Sequence, residues 1–386
     1  MKRIYFDHAA ATPLHPQVLD AMLPYLKEEF GNPSSLHSFG QSAKGAIEEA
    51  RAKVAELINA RTDEIIFTSS GTESDNFALK GIALRHQEKG KHIISSPIEH
   101  YAVLHSLKTL EKWDFKVTLV PVDKYGLVDP QDVAKAITEE TTLISIMHAN
   151  NEIGTIEPIA EIGKIAKERD IIFHCDAVAS AGVIPVDVVE MGVNALSLSA
   201  YQFYGPKGVG ALYLKKGTRI TPLLNGGIQE EGRRPGIENV AGIVGLGKAA
   251  ELAKNEMEER IKHLASLRDK IISELPKRID HLYLNGHPTQ RLPHNINVSI
   301  EYIEGESMLL FLDQKGIAAA SGSACTSRAL KASHILTAIG VDAATAQGSL
   351  LFSLGIDNTE EEVDYLLDTL PPIVERLRQM SPLYKP

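Results

Sequence analysis

Thr142-Leu-Ile-Ser-Ile-Met147 is a short run of apolar and β-branched residues, and Ile171-Ile-Phe-His174 is a second such run that follows an amphipathic stretch. Similar short runs, separated by longer amphipathic stretches, occupy residues 64–68, 92–95, 116–120 and 195–198. Strand-like runs that alternate with helical patterns are typical of a mainly parallel sheet covered by helices, an α/β fold. Ligand sites in such sheets lie at the carboxyl ends of the strands, so functional side chains are expected directly after each run.

The chain is longer than a single hydrophobic core usually supports. It has 386 residues, of which 44% are hydrophobic, and chains of this size usually divide into two domains. We predict a large domain over residues 15–255. A small α+β domain is predicted to combine residues 1–14 with residues 256–386. A charged helical pattern from about Ala250 to Lys277 connects the two.

The charge pattern excludes several classes of partner. The net charge is -10 and long runs of like charge are absent from the sequence, which argues against a nucleic-acid footprint and a polybasic membrane patch. The sequence contains no apolar run of the ~20 residues that a membrane span needs. Its first residues lack the apolar segment of a signal peptide. We therefore predict small-molecule or protein partners and a cytoplasmic location.

The chain has two cysteines, Cys175 and Cys325. Two thiols cannot form a disulfide framework or a self-contained four-thiolate zinc or cluster site. Cys175 lies in a β-run and is predicted to be a packed thiol. Cys325 lies among small and hydroxyl residues in segment 319–328, which predicts an exposed loop thiol. A nucleophile, a sulfur carrier and a metal ligand are all compatible with that position.

Segment 68–76, Thr-Ser-Ser-Gly-Thr-Glu-Ser-Asp-Asn, follows a predicted strand and opens a predicted helix. Backbone N–H groups and hydroxyls at such a helix start are suited to an anion such as phosphate. The same pattern also fits an ordinary capped helix start, with Thr72 or Ser74 as the cap. The local sequence leaves both interpretations open.

Three other strand ends carry polar residues. His100 is placed to stack on a planar ring or to be an ordinary loop histidine. Segment 148–155 ends a strand with four polar residues, which suits a ligand site. Asp176 is either an acid that holds a ring nitrogen in its charged form or a solvated strand-end carboxylate.

Eight segments, in order along nearly the whole chain, resemble those of cysteine desulfurases: residues 5–13, 30–35, 68–76, 148–154, 204–210, 232–236, 321–327 and 352–355. The resemblance implies a fold-type I pyridoxal-phosphate (PLP) enzyme, with a large, mainly parallel domain and a small α+β domain that carries the cysteine loop. It also implies a transferase active on L-cysteine that forms a homodimer and assembles iron-sulfur clusters with a scaffold protein.

The resemblance also assigns site residues. Those that it implies are Thr72 and Ser199 at the phosphate, His100 on the ring face, Asn151 near the ring hydroxyl, Asp176 at the ring nitrogen, and Cys325 as the persulfide acceptor. His100 and Cys325 are the catalytic candidates. Cys325 is also the candidate iron-sulfur ligand.

Residues 196–213 resemble the segment that carries the cofactor lysine in that family, where a Ser-x-His-Lys sequence precedes Tyr-Gly-Pro-Lys-Gly. In this chain the histidine and lysine are replaced by Tyr201 and Gln202. The lysine amine forms the Schiff base and moves the substrate proton, whereas an amide is not nucleophilic and does not titrate. Lys207 is no replacement, because the family has a lysine there as well.

Three further positions depart from the family pattern. Ala179 replaces a glutamine at the ring hydroxyl, Ile237 replaces a Thr or Ser that reaches the partner subunit's phosphate, and Leu351 replaces the arginine that holds the substrate carboxylate. Each lost charged hydrogen bond is worth roughly 1.5 to 3 kcal/mol. Changes at several separate positions favour natural divergence over a single engineered substitution.

The leading prediction is a cysteine desulfurase-like protein of iron-sulfur cluster assembly whose PLP is noncovalent or absent. Cys325 would deliver sulfur or ligate a nascent cluster, which would be bound only together with a scaffold protein. The first alternative is an active cysteine desulfurase that uses noncovalent PLP with Tyr201 or His100 as the base. The second is a noncatalytic dimeric subunit that organises partners.

Overall fold

The computed structural model of the protein describes residues 3–322, 332–382 and 384. A seven-stranded sheet forms its centre, with the strand order β2-β8-β7-β6-β5-β3-β4. The strands are β2 (Ile65–Thr68), β3 (His92–Ser95), β4 (Lys116–Leu119), β5 (Thr141–Ser145), β6 (Ile172–Asp176), β7 (Ala195–Ser199) and β8 (Gly210–Leu214). Neighbours from β4 to β7 are parallel, and β8 is antiparallel to both β7 and β2. The predicted mainly parallel sheet is confirmed.

Helices cover both faces of this sheet, so its inner strands read as continuous apolar runs. The helices of this part are α1 (Pro16–Lys27), α2 (Ser38–Leu57), α3 (Gly71–His86), α4 (Tyr101–Glu111), α5 (Pro130–Ala136) and α6 (Ile159–Glu168). Every residue of β3 and β5 is buried. Cys175 is fully buried in β6, so the prediction of a packed thiol is confirmed.

The helix α7 (Val240–Arg278) links this part to a second core. It begins ten residues before the charged pattern that was predicted, because its first turns are rich in Gly, Ala and Val and are buried without an amphipathic period. Its second half contributes Leu264, Leu267 and Ile271 to the second core. The predicted boundary at residues 255/256 falls inside this helix, and the domain limits remain a prediction.

The second core contains a three-stranded antiparallel sheet and a two-stranded parallel one. Its elements are β1 (Ile4–Tyr5), β9 (Leu282–Asn285), β10 (Asn295–Ile300), α8 (Gly305–Gln314), β11 (Ile317–Ala318), α9 (His334–Ala338), α10 (Ala343–Gln347), β12 (Ser349–Ser353) and α11 (Glu360–Met380). Ile4 and Phe6 pack in this core, so the start of the chain joins the C-terminal part. Within the described ranges, every helix is too short or too polar to cross a membrane.

The segment after β1 crosses back to the large sheet and packs beside the turn that follows β7. Thr12 Oγ1 donates to the carbonyl oxygen of Tyr201, and the N–H of Tyr204 donates to Thr12 Oγ1 at 2.9 Å. The N–H of His15 also donates to the carbonyl oxygen of Tyr204, at 3.0 Å. This crossing segment brings residues 7–10 to the carboxyl end of the large sheet.

Candidate active site

A cavity, here called the strand-end pocket, lies at the carboxyl ends of the parallel strands. Its walls come from the start of α3, the ends of β5 and β6, the turn after β7, the crossing segment and β12. The predicted site residues on its walls are Thr72, His100, Asn151, Asp176, Tyr201 and Gln202. Two of the positions that depart from the family pattern, Ala179 and Leu351, also line it.

Three other predicted positions are not among the described residues that line the strand-end pocket. Ser199 is buried behind the wall, and its Oγ donates to the carbonyl oxygen of Val209 at 3.5 Å. Ile237 is 66% exposed and lines a separate cleft near Arg234. Cys325 lies outside the described residues. Whether these residues act at the site therefore remains a prediction.

The start of α3 forms one end of the pocket. Ser70 is its N-cap, because the Ser70 side chain accepts a hydrogen bond from the N–H of Glu73 at 3.1 Å. The proposed caps Thr72 and Ser74 were wrong, since the helix already begins at Gly71. The N–H groups of Gly71 and Thr72 open the helix and have no acceptor within it. They can therefore receive an anion.

Gly71 is required at this helix start by the close approach of the next loop. A Cβ at Gly71 would lie 2.5 Å from Cγ2 of Val178, the residue two places beyond β6. A side chain at this position would therefore force α3 or the Val178 side chain to shift. The backbone N–H groups are thus held at the pocket wall by tight packing.

The carboxylate nearest to this helix start is held away from the pocket. Glu73 accepts hydrogen bonds from Ser69 and from Arg234 Nε, the latter at 2.9 Å. Burial by itself raises the pKa of Glu73, but the bonds from Arg234 and Ser69 outweigh it and the pKa is lowered. The negative charge of Glu73 is therefore balanced by Arg234 and does not oppose an anion at Gly71.

Asp176 ends β6 and belongs to a buried acidic cluster together with Asp75 and Glu99. Asp176 Oδ1 accepts from the N–H of Val178 at 2.9 Å. Burial raises the pKa of all three carboxyls, and the charge of Asp176 raises those of Asp75 and Glu99 further. A positive ring nitrogen beside Asp176 would lower the free energy of holding these charges out of water.

Asp75 is 1% exposed, and its Oδ1 has no hydrogen-bond partner among the described residues. The ring of His174 lies 3.7 Å from this oxygen but does not neutralise it. Complete burial lowers the pKa of His174 to about 3, and its two ring nitrogens are occupied by the hydroxyls of Ser145 and Ser197. The sequence interpretation missed Asp75, Glu99 and His174. For Asp75 a signal was available, because it is a carboxylate on the buried side of α3.

His100 is the N-cap of α4 and lies on the pocket wall. Its Nδ1 accepts a hydrogen bond from the N–H of Ala102 at 3.1 Å. With Nδ1 used as an acceptor, the neutral ring carries its proton on Nε2. In this tautomer the Nε2 of His100 offers a hydrogen-bond donor and not an acceptor.

Gln202 lies in the short 3-10 turn Ala200–Phe203 after β7. It is buried, and its Nε2 donates to the carbonyl oxygen of Ala9 at 3.0 Å. The amide thus connects the turn to the crossing segment. No lysine occurs among the described residues of the pocket wall. Lys207 Nζ contacts the carbonyl oxygen of Thr12 at 3.4 Å and is not part of that wall.

The described walls offer partners for the phosphate and the ring nitrogen of PLP but no amine for its aldehyde. The start of α3 offers N–H groups for the phosphate, and Asp176 offers a buried carboxylate for the ring nitrogen. The aldehyde requires an amine for covalent attachment. At the expected position the wall presents the Gln202 amide, already bonded to Ala9.

Comparisons with known proteins identify the family of the chain. Residues 4–366 match the aminotransferase class-V family. The chain is 58% identical over 383 residues to a "Cysteine desulfurase IscS" of Dictyoglomus turgidum, covering 99% of this chain and 97% of the relative. It is 57% identical to a protein of the same name from Methanosarcina thermophila, covering 99% and 94% of the two chains.

Solved structures show the same relationship. A "NifS-like protein" superposes with a TM-score of 0.91 at 40% identity, over 97% of this chain and 100% of the other. A structure described as "SspA in complex with cysteine" superposes with a TM-score of 0.80 at 37% identity, over 92% and 99%. The chain therefore belongs to the class-V aminotransferase family, in which its full-length relatives include cysteine desulfurases.

Proposed function

We propose that this chain is a cysteine desulfurase-like protein of iron-sulfur cluster assembly whose PLP chemistry is impaired. In this proposal Cys325 delivers sulfur to a scaffold protein or ligates a nascent cluster on it. One observation carries the proposal: the buried Gln202 amide, bonded to Ala9, stands on a wall whose described residues include no lysine. The described part of the pocket thus has groups that bind PLP but no amine that could form a covalent bond to it.

If PLP binds, the N–H groups of Gly71 and Thr72 would hold its phosphate, and Asp176 would hold its ring nitrogen. PLP would supply an electron sink for a bound amino acid. The chain's own residues would bind and orient it. The alternative of a working enzyme needs His100 or Tyr201 to take the proton. The tautomer in which His100 Nδ1 accepts from the N–H of Ala102 does not suit that task, because Nε2 then carries the proton.

The position of Cys325 in the chain supports its role. Gly322 lines the pocket, and three residues of chain span at most about 11 Å. The Cys325 thiol would be the nucleophile or the metal ligand.

We also propose a cytoplasmic homodimer that binds a scaffold protein. Large apolar side chains stand exposed in the segments before α2 and before α7, including Leu36 (94% exposed), Ile228 (87%) and Phe30 (78%). Leu36 and Ile228 line one cleft, and the rings of Phe30 and Phe39 stack with centroids 5.7 Å apart, so these side chains form apolar surface of the kind that another protein covers. A second copy of the chain is the occupant that the family resemblance implies.

The test compares wild type, Cys325→Ser and Cys175→Ala after anaerobic copurification with the scaffold protein. Iron and acid-labile sulfide bound to each complex are measured. We expect Cys325→Ser to lose the bound iron and sulfide. Cys175→Ala, the matched control in the buried strand β6, should keep them. Equal contents in wild type and Cys325→Ser would contradict the proposal and favour a noncatalytic organising subunit.

A further inference from the structure

A turn at residues 150–154, here called the Asn151 turn, connects the strand-end pocket to the second core. Asn151 lines the pocket. The carbonyl oxygens of four successive residues, 151–154, accept hydrogen bonds from residues 291–297, which lead into and begin β10. These bonds run from Asn295 Nδ2 to Asn151 and Glu152 at 3.1 Å, from Asn297 Nδ2 to Glu152 at 3.1 Å, from Arg291 Nη2 to Ile153 at 3.2 Å, and from the N–H of Leu292 to Gly154 at 2.8 Å. The backbone of the turn is therefore fixed to the second core.

The side chain of Glu152 continues this connection toward α9. Glu152 is 1% exposed, and its Oε2 accepts a hydrogen bond from Ser333 Oγ at 2.6 Å. Ser333 is the N-cap of α9, and its Oγ accepts in turn from the N–H of Ile335 at 3.1 Å. The single hydroxyl proton of Ser333 thus goes to Glu152, while the oxygen lone pairs cap the helix. Because a hydroxyl that donates to a carboxylate makes one of the stronger hydrogen bonds in proteins, Glu152 holds the start of α9.

The described residues on the two sides of Cys325 both lie beside Glu152. Residues 323–331, which include Cys325, lie outside the described residues. A Cβ at Gly322 would lie 3.5 Å from Glu152 Oε2 and 3.9 Å from Cβ of Ser333. Residues 322 and 333 are therefore neighbours in space, although residues 323–332 stand between them in the sequence. The chain that contains Cys325 leaves the side of Glu152 and returns to it.

We propose that Glu152 is a positioning residue for Cys325, because its carboxylate fixes the base of the segment that carries this thiol. The inference rests on the proposed function of Cys325 and adds a group on which that function depends. A segment whose two ends are held at one point has fewer conformations than one with free ends. Less conformational entropy is then lost when the thiol meets a partner protein. Glu152 acts through the segment and does not itself contact the sulfur or the cluster.

Trypsin measures how firmly this base is held, because Arg328 and Lys331 provide two cleavage sites within the segment. The folded protein is digested for short times, and peptides that end at these two residues are quantified by mass spectrometry. Glu152→Ala removes the acceptor of the Ser333 hydrogen bond. We expect cleavage at both sites to become at least about fivefold faster, since the loss of one charged hydrogen bond favours local opening roughly tenfold. Cleavage elsewhere in the chain should keep the wild-type rate, whereas a loss of overall stability would raise it everywhere.

Further variants isolate this hydrogen bond. Ser333→Ala removes the donor and should also speed cleavage, and the double variant with Glu152→Ala should be no faster than Ser333→Ala alone. Glu152→Gln keeps an acceptor oxygen and should stay within about twofold of the wild-type rate. The matched control is Glu157→Ala, which removes a second buried acid whose Oε2 accepts from the N–H of Val128 at 2.8 Å. It should leave both cleavage sites at the wild-type rate. Circular dichroism and thermal unfolding confirm that each variant is folded.

The link to Cys325 is measured by anaerobic copurification with the scaffold protein, in which Glu152→Ala should bind at least about threefold less iron and sulfide than wild type. Unchanged cleavage in Glu152→Ala, an equal rise in Glu157→Ala or in Glu152→Gln, or full cluster content in Glu152→Ala would overturn the inference. The proposed function fails separately, if Cys325→Ser keeps its iron and sulfide. If Cys325→Ser loses them while Glu152→Ala keeps them, only the role of Glu152 is rejected.

Discussion

Two ends of the strand-end pocket differ in the kind of group that forms them: the α3 end, at Gly71 and Thr72, and the Asp7 end, at Asp7 and Leu351. At the α3 end the binding groups are backbone N–H groups of Gly71 and Thr72, which the fold itself positions. Around Gln202 and the Asp7 end, the chemistry depends entirely on side chains: an amide, an apolar chain and a carboxylate. A single substitution can remove a side-chain binding group, whereas the backbone N–H groups of a helix start remain as long as the fold is kept.

Because of this difference, noncovalent binding of PLP and its covalent attachment depend on different parts of the pocket. A pocket can keep an anion-binding helix start and an acid for a ring nitrogen after it has lost the nucleophilic amine. Gln202 also has a structural task, since its Nε2 donates to the carbonyl oxygen of Ala9 and connects the crossing segment to the large sheet. Gln202, at the position where the family has a lysine, is therefore a buried side chain with a hydrogen-bond partner.

The largest effect is expected at the α3 end. Gly71→Ala places a Cβ 2.5 Å from Val178 Cγ2, so the helix start or the Val178 side chain on the pocket wall must shift. We expect the dissociation constant for PLP to rise at least about tenfold, as for the loss of one charged hydrogen bond. Fluorescence titration of PLP measures the change.

The matched control is Gly45→Ala, in α2, where a Cβ would meet no atom within 4 Å. It makes the same chemical change in open space, and alanine is the better helix former. PLP affinity should stay at the wild-type value. Unchanged affinity in Gly71→Ala would show that the helix start does not hold the phosphate, and the comparison between the two ends would fail.

A smaller effect is expected at the Asp7 end. Burial raises the pKa of Asp7 from its ordinary 3.8 to about 6, so the folded state binds more protons than the unfolded state between these values. The free energy of unfolding should therefore fall as pH rises from about 4 to about 6. Asp7→Asn should remove this contribution, which is on the order of 1 kcal/mol once solvent screening is allowed for.

Urea unfolding of wild type and Asp7→Asn across this pH range measures the difference. Asp20→Asn, at an exposed position in α1, is the control for removing an acid without changing a buried one. If the difference in unfolding free energy between wild type and Asp7→Asn is the same at every pH, Asp7 is not a poorly solvated carboxylate.

Much of the fold was accessible from the sequence, because parallel strands buried on both faces leave apolar runs that are easy to find. The same logic placed Thr72, His100 and Asp176 together, since all three follow strands of one sheet. The start of α7 was missed because a helix buried on all sides has no amphipathic period. The Ser70 cap was missed because α3 already begins at Gly71, before the apolar residues that start at Phe77.

The rest of the site depends on contacts between residues far apart in the chain. The bond between Gln202 and Ala9 joins positions 193 residues apart, and no local pattern indicates it. Asp7 reaches the pocket only because β1 pairs with β11 and the chain then bridges to β12. The acidic cluster likewise assembles from the helix α3, which carries Asp75, and two strand ends, which carry Asp176 and Glu99.

The central claim is that this pocket cannot attach PLP covalently. The direct measurement is borohydride reduction of the protein with PLP, followed by peptide mass mapping, with Gln202→Lys treated in parallel. We expect no pyridoxyl group on any lysine of the wild-type pocket region and a pyridoxyl group on the introduced lysine of Gln202→Lys. A reduced pyridoxyl group on Lys207, or on another native lysine near the pocket, would contradict the account.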